Sequence, residues 1–254
     1  FDDIKTIARH RHWVGGQWDQ ADRERSDAVG GGHAHAGACF YLGGSWPERH
    51  RGRLFMNNIH GARVNEDRVT PSGSGYVGDG EPDFLFANDS WSQFISLQLG
   101  PDGQMVILDW YDRNQCHHGD AAGHDRSNGR IFKVVYDRQA PAPASIDLAR
   151  ERDAALVAML GHDNEWYARH ARRILQERAA AGRLDTGTVL LLEGRLTDAG
   201  PTHHRLRALW ALHAVGALDE PRILLAAVPA AALEPPHRAL GGRVVAVMAG
   251  EEQG

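Results

Sequence analysis

The chain has 254 residues, 42% of them hydrophobic and 24% charged, with a formal net charge of −5. This length allows one large domain or two ordinary ones, and the composition is that of a globular protein with no run near the roughly 18 apolar residues of a membrane helix. The negative balance speaks against nucleic acid as the main partner, because phosphate binding needs clustered Lys and Arg in excess, and a short basic cluster such as "RHARR", 169–173, does not offset it.

In chain order, residues 1–136 read as an all-β domain. From residue 30 onward, "ACFYLGG", "GRLFMNNIHG", "DFLFAND", "FISLQLGPDG", "QMVILDW" and "GRIFKVVY" are short apolar runs bounded by Gly, Pro, Asn and Asp, the signature of successive antiparallel strands. Gly100-Pro101-Asp102-Gly103 is the clearest hairpin turn, since Asp-Gly tolerates the positive φ that tight turns demand. The segment "DRQAPAPAS", 137–145, alternates Pro with Ala and suits neither strand nor helix, so it marks a domain boundary. Residues 146–254 read as helical repeats. Leu148, Leu156, Val157, Met159 and Leu160 fit one helix; Trp166, Tyr167, His170, Ile174 and Leu175 fit another. A third, after Pro201, carries Leu206, Leu209, Trp210 and His213 on one face. Trp166 and Trp210 are expected between helices.

Together "GGHAHAGACFYLGGSWPERHRGRLFMNNIHGARVNEDRV", "GSGY", "DFLFANDSW", "LGPDGQMVILDWYD", "CHH" and "DRSNGRIFKVVY" resemble the propeller of the planctomycete-type membrane-bound dehydrogenase family. That propeller is itself similar to the soluble quinoprotein glucose/sorbosone dehydrogenases. "LGHDNEWYARHARRILQER" and "RLRALWALHAVGAL" resemble the HEAT-type repeats that follow it. The resemblance covers about residues 30–220. It implies the C-terminal blades of a six-bladed β-propeller followed by a HEAT-like α-solenoid, all-β then all-α, in a periplasmic or otherwise extracytoplasmic protein of which this chain is a fragment. It further implies pyrroloquinoline quinone (PQQ) and calcium in the full-length protein. Two departures stand against a simple transfer of chemistry. The blades that supply the family's catalytic histidine precede this chain, and "DSWSQFISLQLGPDG" has Ser92, Gln93 and Phe94 where an arginine often faces the cofactor. No CxxCH motif is present, so the sequence offers no c-type haem attachment.

No residue is assigned as catalytic. His33 and His35 lie two apart, which on a strand points both imidazoles to one face; they either touch a ligand or are solvated. Asn58 and His60 in "NNIHG" either line the same channel or serve structure. Arg63 and Arg130 are the basic residues that a charged cofactor pocket would recruit. In "DWYDRNQCHHGD", 109–120, Asp109, Asp112, Cys116, His117 and His118 are the candidate metal ligands, thiolate and imidazole suiting zinc or copper and the acids suiting calcium. The competing reading is a structural loop in which Asp109 and Asp112 cap turns and Arg130 pairs with an acid. Cys39 and Cys116 either form one bridge in an oxidising compartment or stay reduced. Two functions follow. One is an oxidoreductase-like propeller, a PQQ-type sugar or alcohol dehydrogenase acting on a small molecule. The other is a non-catalytic propeller binding carbohydrate or protein, with the helical repeats open to a protein partner.

Overall fold

The computed structural model describes residues 35–113, 122, 124–125, 127–136, 145–196, 200–220 and 223. The chain divides into two compact units, Phe1–Ala142 and Pro143–Gly254, the first an antiparallel β region and the second helical. The division falls inside the Pro/Ala segment.

In the β unit the described strands are β1 (His35–Phe40), β2 (Leu54–Asn58), β3 (Arg63–Ser72), β4 (Gly75–Gly80), β5 (Leu85–Phe86), β6 (Phe94–Leu99), β7 (Met105–Asp109) and β8 (Arg130–Val134). They make two open antiparallel sheets among the described residues. One runs β1-β2-β3-β4, with β5 on the start of β3; the other runs β6-β7-β8. β6 packs across β1 and β2. Tyr41, Trp46, Phe55, Val64, Phe94, Leu97, Met105 and Ile107 form the buried core. Tyr41 ties the sheets together. Its buried hydroxyl donates to Gly103 O at 3.0 Å and accepts from the amides of Ser45 and Trp46, while its ring stacks on Trp46 at 4.5 Å. Gly103, at φ +73°, is the left-handed residue of the expected β6–β7 turn.

β3 and β4 are strands that apolar patterning did not announce. "RVNEDRVTPS" places Arg63, Asn65, Glu66 and Asp67 in buried positions, and backbone pairing to β2 and β4 holds them extended. Strand alternation then sorts the side chains. Glu66 lies opposite Phe55, while Asp67 lies opposite Leu54 on the other face.

The β1–β2 ladder shifts register between Ala36 and Cys39, and Gly37 in this bulge sits at φ +63° against the second sheet. A Cβ there would lie 2.7 Å from Leu97 N and 2.8 Å from Ser96 Cα, both backbone atoms. Gly37→Ala is therefore expected to cost about 2–4 kcal/mol, from left-handed strain plus overpacking. Urea denaturation measures it, and a loss below about 1 kcal/mol would show that β1 can withdraw from β6 freely.

The helical unit contains, among the described residues, α1 (Asp153–Met159), α2 (Glu165–Ala180), α3 (Thr188–Leu196) and α4 (Thr202–Ala214). The stretch from Leu148 is not one helix. A short 3₁₀ turn, Leu148–Arg150, ends before Arg152, whose extended backbone separates it from α1. Asn164 caps α2 by accepting from Trp166 N at 3.0 Å, in the usual manner of Asn before a first turn. α3 falls in the stretch read as helical but was not singled out as a helix, since "TVLLLEGRL" carries β-branched residues and an internal glycine, and packing rather than propensity makes it helical. α4 buries Ala208, Leu209, Ala211 and Leu212. Trp210 therefore points outward, 40% exposed with Arg172 over its ring at 5.6 Å, instead of between helices. The remaining expected repeat region, 224–254, lies outside the described residues. No helix among the described residues is long and apolar enough to cross a membrane.

Candidate functional site

The β unit contains a cleft of about 460 Å³ lined by Arg49, His50, Arg53, Glu66, Glu81, Pro82, Asp83, Phe84 and Tyr136. Its back wall is built by "GGSWPERHRG". Pro47 starts a 3₁₀ turn, Glu48–His50, closed by His50 N to Pro47 O at 3.0 Å and Arg51 N to Glu48 O at 2.9 Å. The turn carries His50 inward among Trp46, Phe55 and Phe84, with ring centroids 6.0, 6.1 and 5.5 Å away. β3 supplies Glu66 on the same side, and its Oε1 lies 2.9 Å from His50 Nδ1. Both side chains are 9% exposed. Nε2 of His50 has no partner among the described residues.

The front of the cleft is the chain leaving β4. Glu81 N donates to Glu66 O and Phe84 N to Val64 O, each at 2.9 Å, so residues 81–84 follow β3 beyond its paired strand. Glu81 holds Arg53 at 3.3 Å and Arg68 at 3.5 Å. Asp83 accepts from Arg63 Nη1 and Asn65 Nδ2, both at 2.6 Å. Tyr136 follows β8, half exposed, with Arg49 5.9 Å from its ring. Behind the wall, on the opposite face of β3, sits fully buried Asp67. Burial, reinforced by the charges of Asp83 and Glu66, pushes its carboxyl up to about 7.

The residues nominated from sequence lie elsewhere. His35, Asn58 and Arg63 fall opposite one another across β1, β2 and β3, so pairing makes them one cross-strand row. Asn58 accepts from Gly61 N at 2.9 Å and donates to Asn65 Oδ1 at 3.2 Å, Arg63 is drawn to Asp83 and stacks on Phe86 at 5.0 Å, and His60 is buried in the β2–β3 turn. Arg130 belongs to the other sheet. It pairs with Asp109 at 2.7 Å and Asp89 at 3.3 Å, and lies 3.7 Å from the centre of the Tyr111 ring. None of these residues lines the cleft. His33, Cys116, His117 and His118 lie outside the described residues, as does the Cys39–Cys116 question.

Of the candidate metal ligands, the two described acids are engaged by the chain's own donors. Asp109 accepts from Gln93 N at 2.6 Å, Ser92 Oγ at 3.2 Å and Arg130 Nε at 2.8 Å. Asp112 meets His124 Nδ1 and Asp125 N, each at 3.2 Å. Among the described residues no group of three or more His, Cys, Asp or Glu has metal-holding geometry. The described part of the nominated set therefore does not by itself fit calcium, which takes six to eight oxygens.

His50 and Glu66 were missed because they are sixteen residues apart and no local motif joins them. The available signal was "SWPERH", where Pro after Trp and before a polar triplet marks a turn that carries its last residue inward.

Fold and cleft thus define a two-unit protein in which an antiparallel β region bears a polar, aromatic-edged cleft and a helical unit follows. Residues 4–138 match the family model described as a domain of unknown function (DUF7133), and the chain belongs to that family. No curated protein and no solved structure matches the chain.

Proposed function

We propose that the β unit is a segment of a β-propeller in an extracytoplasmic protein and that its cleft binds carbohydrate, with the HEAT-like helical unit as a scaffold open to a protein partner. The antiparallel order β1-β2-β3-β4, followed by a second sheet packed through β6 on β1, suits successive blades of four-stranded sheets. The observation that carries the binding role is the lining of the cleft. Carboxylates accept from sugar hydroxyls, guanidinium groups donate to them, and an exposed tyrosine offers a flat apolar face to the sugar ring.

One observation favours a second reading, sugar or alcohol dehydrogenation. A histidine whose Nδ1 is held by a carboxylate has its other nitrogen directed to take a proton, here from a substrate hydroxyl in the cleft, while the hydride of the carbinol carbon would pass to a quinone of the kind the resemblance implies. Two measurements on the full chain separate the readings: calorimetric titration with a panel of neutral and acidic oligosaccharides, and dye-linked oxidation of the same sugars with pyrroloquinoline quinone and calcium added. The binding reading expects at least one sugar class to bind, Tyr136→Ala to weaken it about 10-fold, and no oxidation. Oxidation abolished by His50→Gln, with binding retained, would establish the dehydrogenase instead. Failure of every sugar to bind would end the carbohydrate reading and, with it, dehydrogenation of sugars.

A further inference from the structure

Every carboxylate in the lining of the cleft already holds a partner from the chain. Glu66 takes His50, Glu81 takes Arg53 and Arg68, and Asp83 takes Arg63 and Asn65. Of the two arginines in the lining, Arg53 is thereby committed to Glu81. Arg49 is not. It is exposed on the 3₁₀ turn, its guanidinium rests over the Tyr136 ring at 5.9 Å, and among the described residues it pairs with no carboxylate. Its place is nevertheless fixed at the backbone, because Arg49 O accepts from Arg53 Nε at 3.1 Å. Among the described residues the cleft therefore presents Arg49 as a cation without a carboxylate partner beside its exposed aromatic ring, with its acids neutralised or hydrogen-bonded behind it.

We propose that the carbohydrate is an acidic one, with an anionic substituent held by Arg49 while its ring lies along Tyr136. The inference rests on the carbohydrate reading and narrows it. The planar fork of a guanidinium matches a carboxylate or a sulfate ester in two parallel hydrogen bonds. Neutral hydroxyls would leave that fork no better satisfied than water does. The shared chemistry is an anion on a sugar, and both sources enter the test.

The full chain is titrated calorimetrically at low ionic strength with tetragalacturonate, its fully methyl-esterified counterpart, a sulfated galactan tetrasaccharide and its desulfated form. At least one anionic sugar is expected to bind about 10-fold or more tighter than its neutral counterpart, and the pair showing the preference identifies the source. Arg49→Gln is expected to erase that preference, so that the anionic sugar and its neutral counterpart bind the variant alike, and Arg49→Lys to restore part of it, because the charge remains without the fork. The preference is expected to shrink as salt is raised. Because Arg49 is exposed, far-UV circular dichroism should be unchanged in both variants. Equal binding of acidic and neutral sugars, or a preference that survives Arg49→Gln, overturns the inference and leaves carbohydrate binding standing. If no sugar binds, the carbohydrate reading falls and this inference with it.

Discussion

Raising the pH from about 4 to about 7 is expected to destabilise the β unit, and Asp67→Asn to abolish that loss. Asp67 is fully buried on β3, beside the charges of Asp83 and Glu66, and its carboxyl is raised from 3.8 to about 7. The sign follows from linkage. Below the lower value the carboxyl is protonated in both folded and unfolded chains and contributes no pH dependence. Between the two values the unfolded chain releases its proton while the folded chain keeps it, so each step upward in pH favours unfolding. Across this window the loss is on the order of 4 kcal/mol. Asn preserves the shape without the charge. Thermal denaturation of wild type and variant should therefore agree near pH 4 and diverge above it, with Asp67→Asn the more stable at pH 8. Parallel profiles at every pH would mean that Asp67 ionises in the fold as readily as in water.

The helical unit should respond to acid in the opposite sense. Asp153, 1% exposed at the start of α1, accepts from Arg178 Nη1 of α2 at 2.5 Å, from Asp185 N in the following loop at 2.7 Å and from Thr188 Oγ1 of α3 at 3.0 Å. Burial alone would raise its carboxyl. The Asp185 amide, Arg178 and Thr188 outweigh burial and hold it below the ordinary 3.8. Its contribution is thus present above that value and is lost as the pH falls through the depressed one. Asp153→Ala leaves an amide, a hydroxyl and Nη1 of the partly buried Arg178 without this acceptor, although Arg178 Nη2 keeps Ala149 O and Glu151 O, and is expected to cost about 3 kcal/mol, the low end for breaking one side of a buried ion pair. Denaturant unfolding monitored by helical circular dichroism measures it. A cost under about 1 kcal/mol would show that water replaces the carboxylate and that the three elements are held by Leu156, Leu175, Leu192 and their neighbours alone.

Both carboxylates show where sequence reading stops. The strands with apolar centres, such as "FISLQL" and "QMVIL", and the helix of "EWYARHARRILQERAA" were legible because burying one face imposes period 2 or period 3.6. "RVNEDRVTPS" carries the opposite signal, four charges and a proline, yet it forms the longest strand described, β3. Its neighbours on both sides satisfy its backbone, and polar partners such as Asp83 satisfy Arg63 and Asn65. Such pairing is tertiary and leaves no periodic trace. The candidate site inherits the same obscurity, since Glu66 and His50 meet only because β3 returns beside the turn after Pro47. The row His35–Asn58–Arg63 was not legible either: "NNIHG" suggested that Asn58 and His60 share a strand face, whereas β2 ends at Asn58, His60 lies in the turn, and register alone decides which residues face one another. In the helical unit, Trp210 misled because aromatic content was read as burial, whereas the small residues Ala208 and Ala211 let α4 pack closely.

The clasp between Arg130 and Asp109 also bears on the register of β8. The two residues are directly paired across β7 and β8 yet stand 21 positions apart in sequence, and Arg130 also grips Asp89, 41 positions away. Once the ends of a connection are fastened this firmly, the closure entropy of what lies between grows only with the logarithm of its length, about 0.6 kcal/mol per doubling. On that scaling a change in the length of the connection beyond Asp112 is expected to cost little beside the clasp that sets the register of β8. The register of β8 is thus set by side chains at the two ends of the connection, Asp109 and Arg130, rather than by its length.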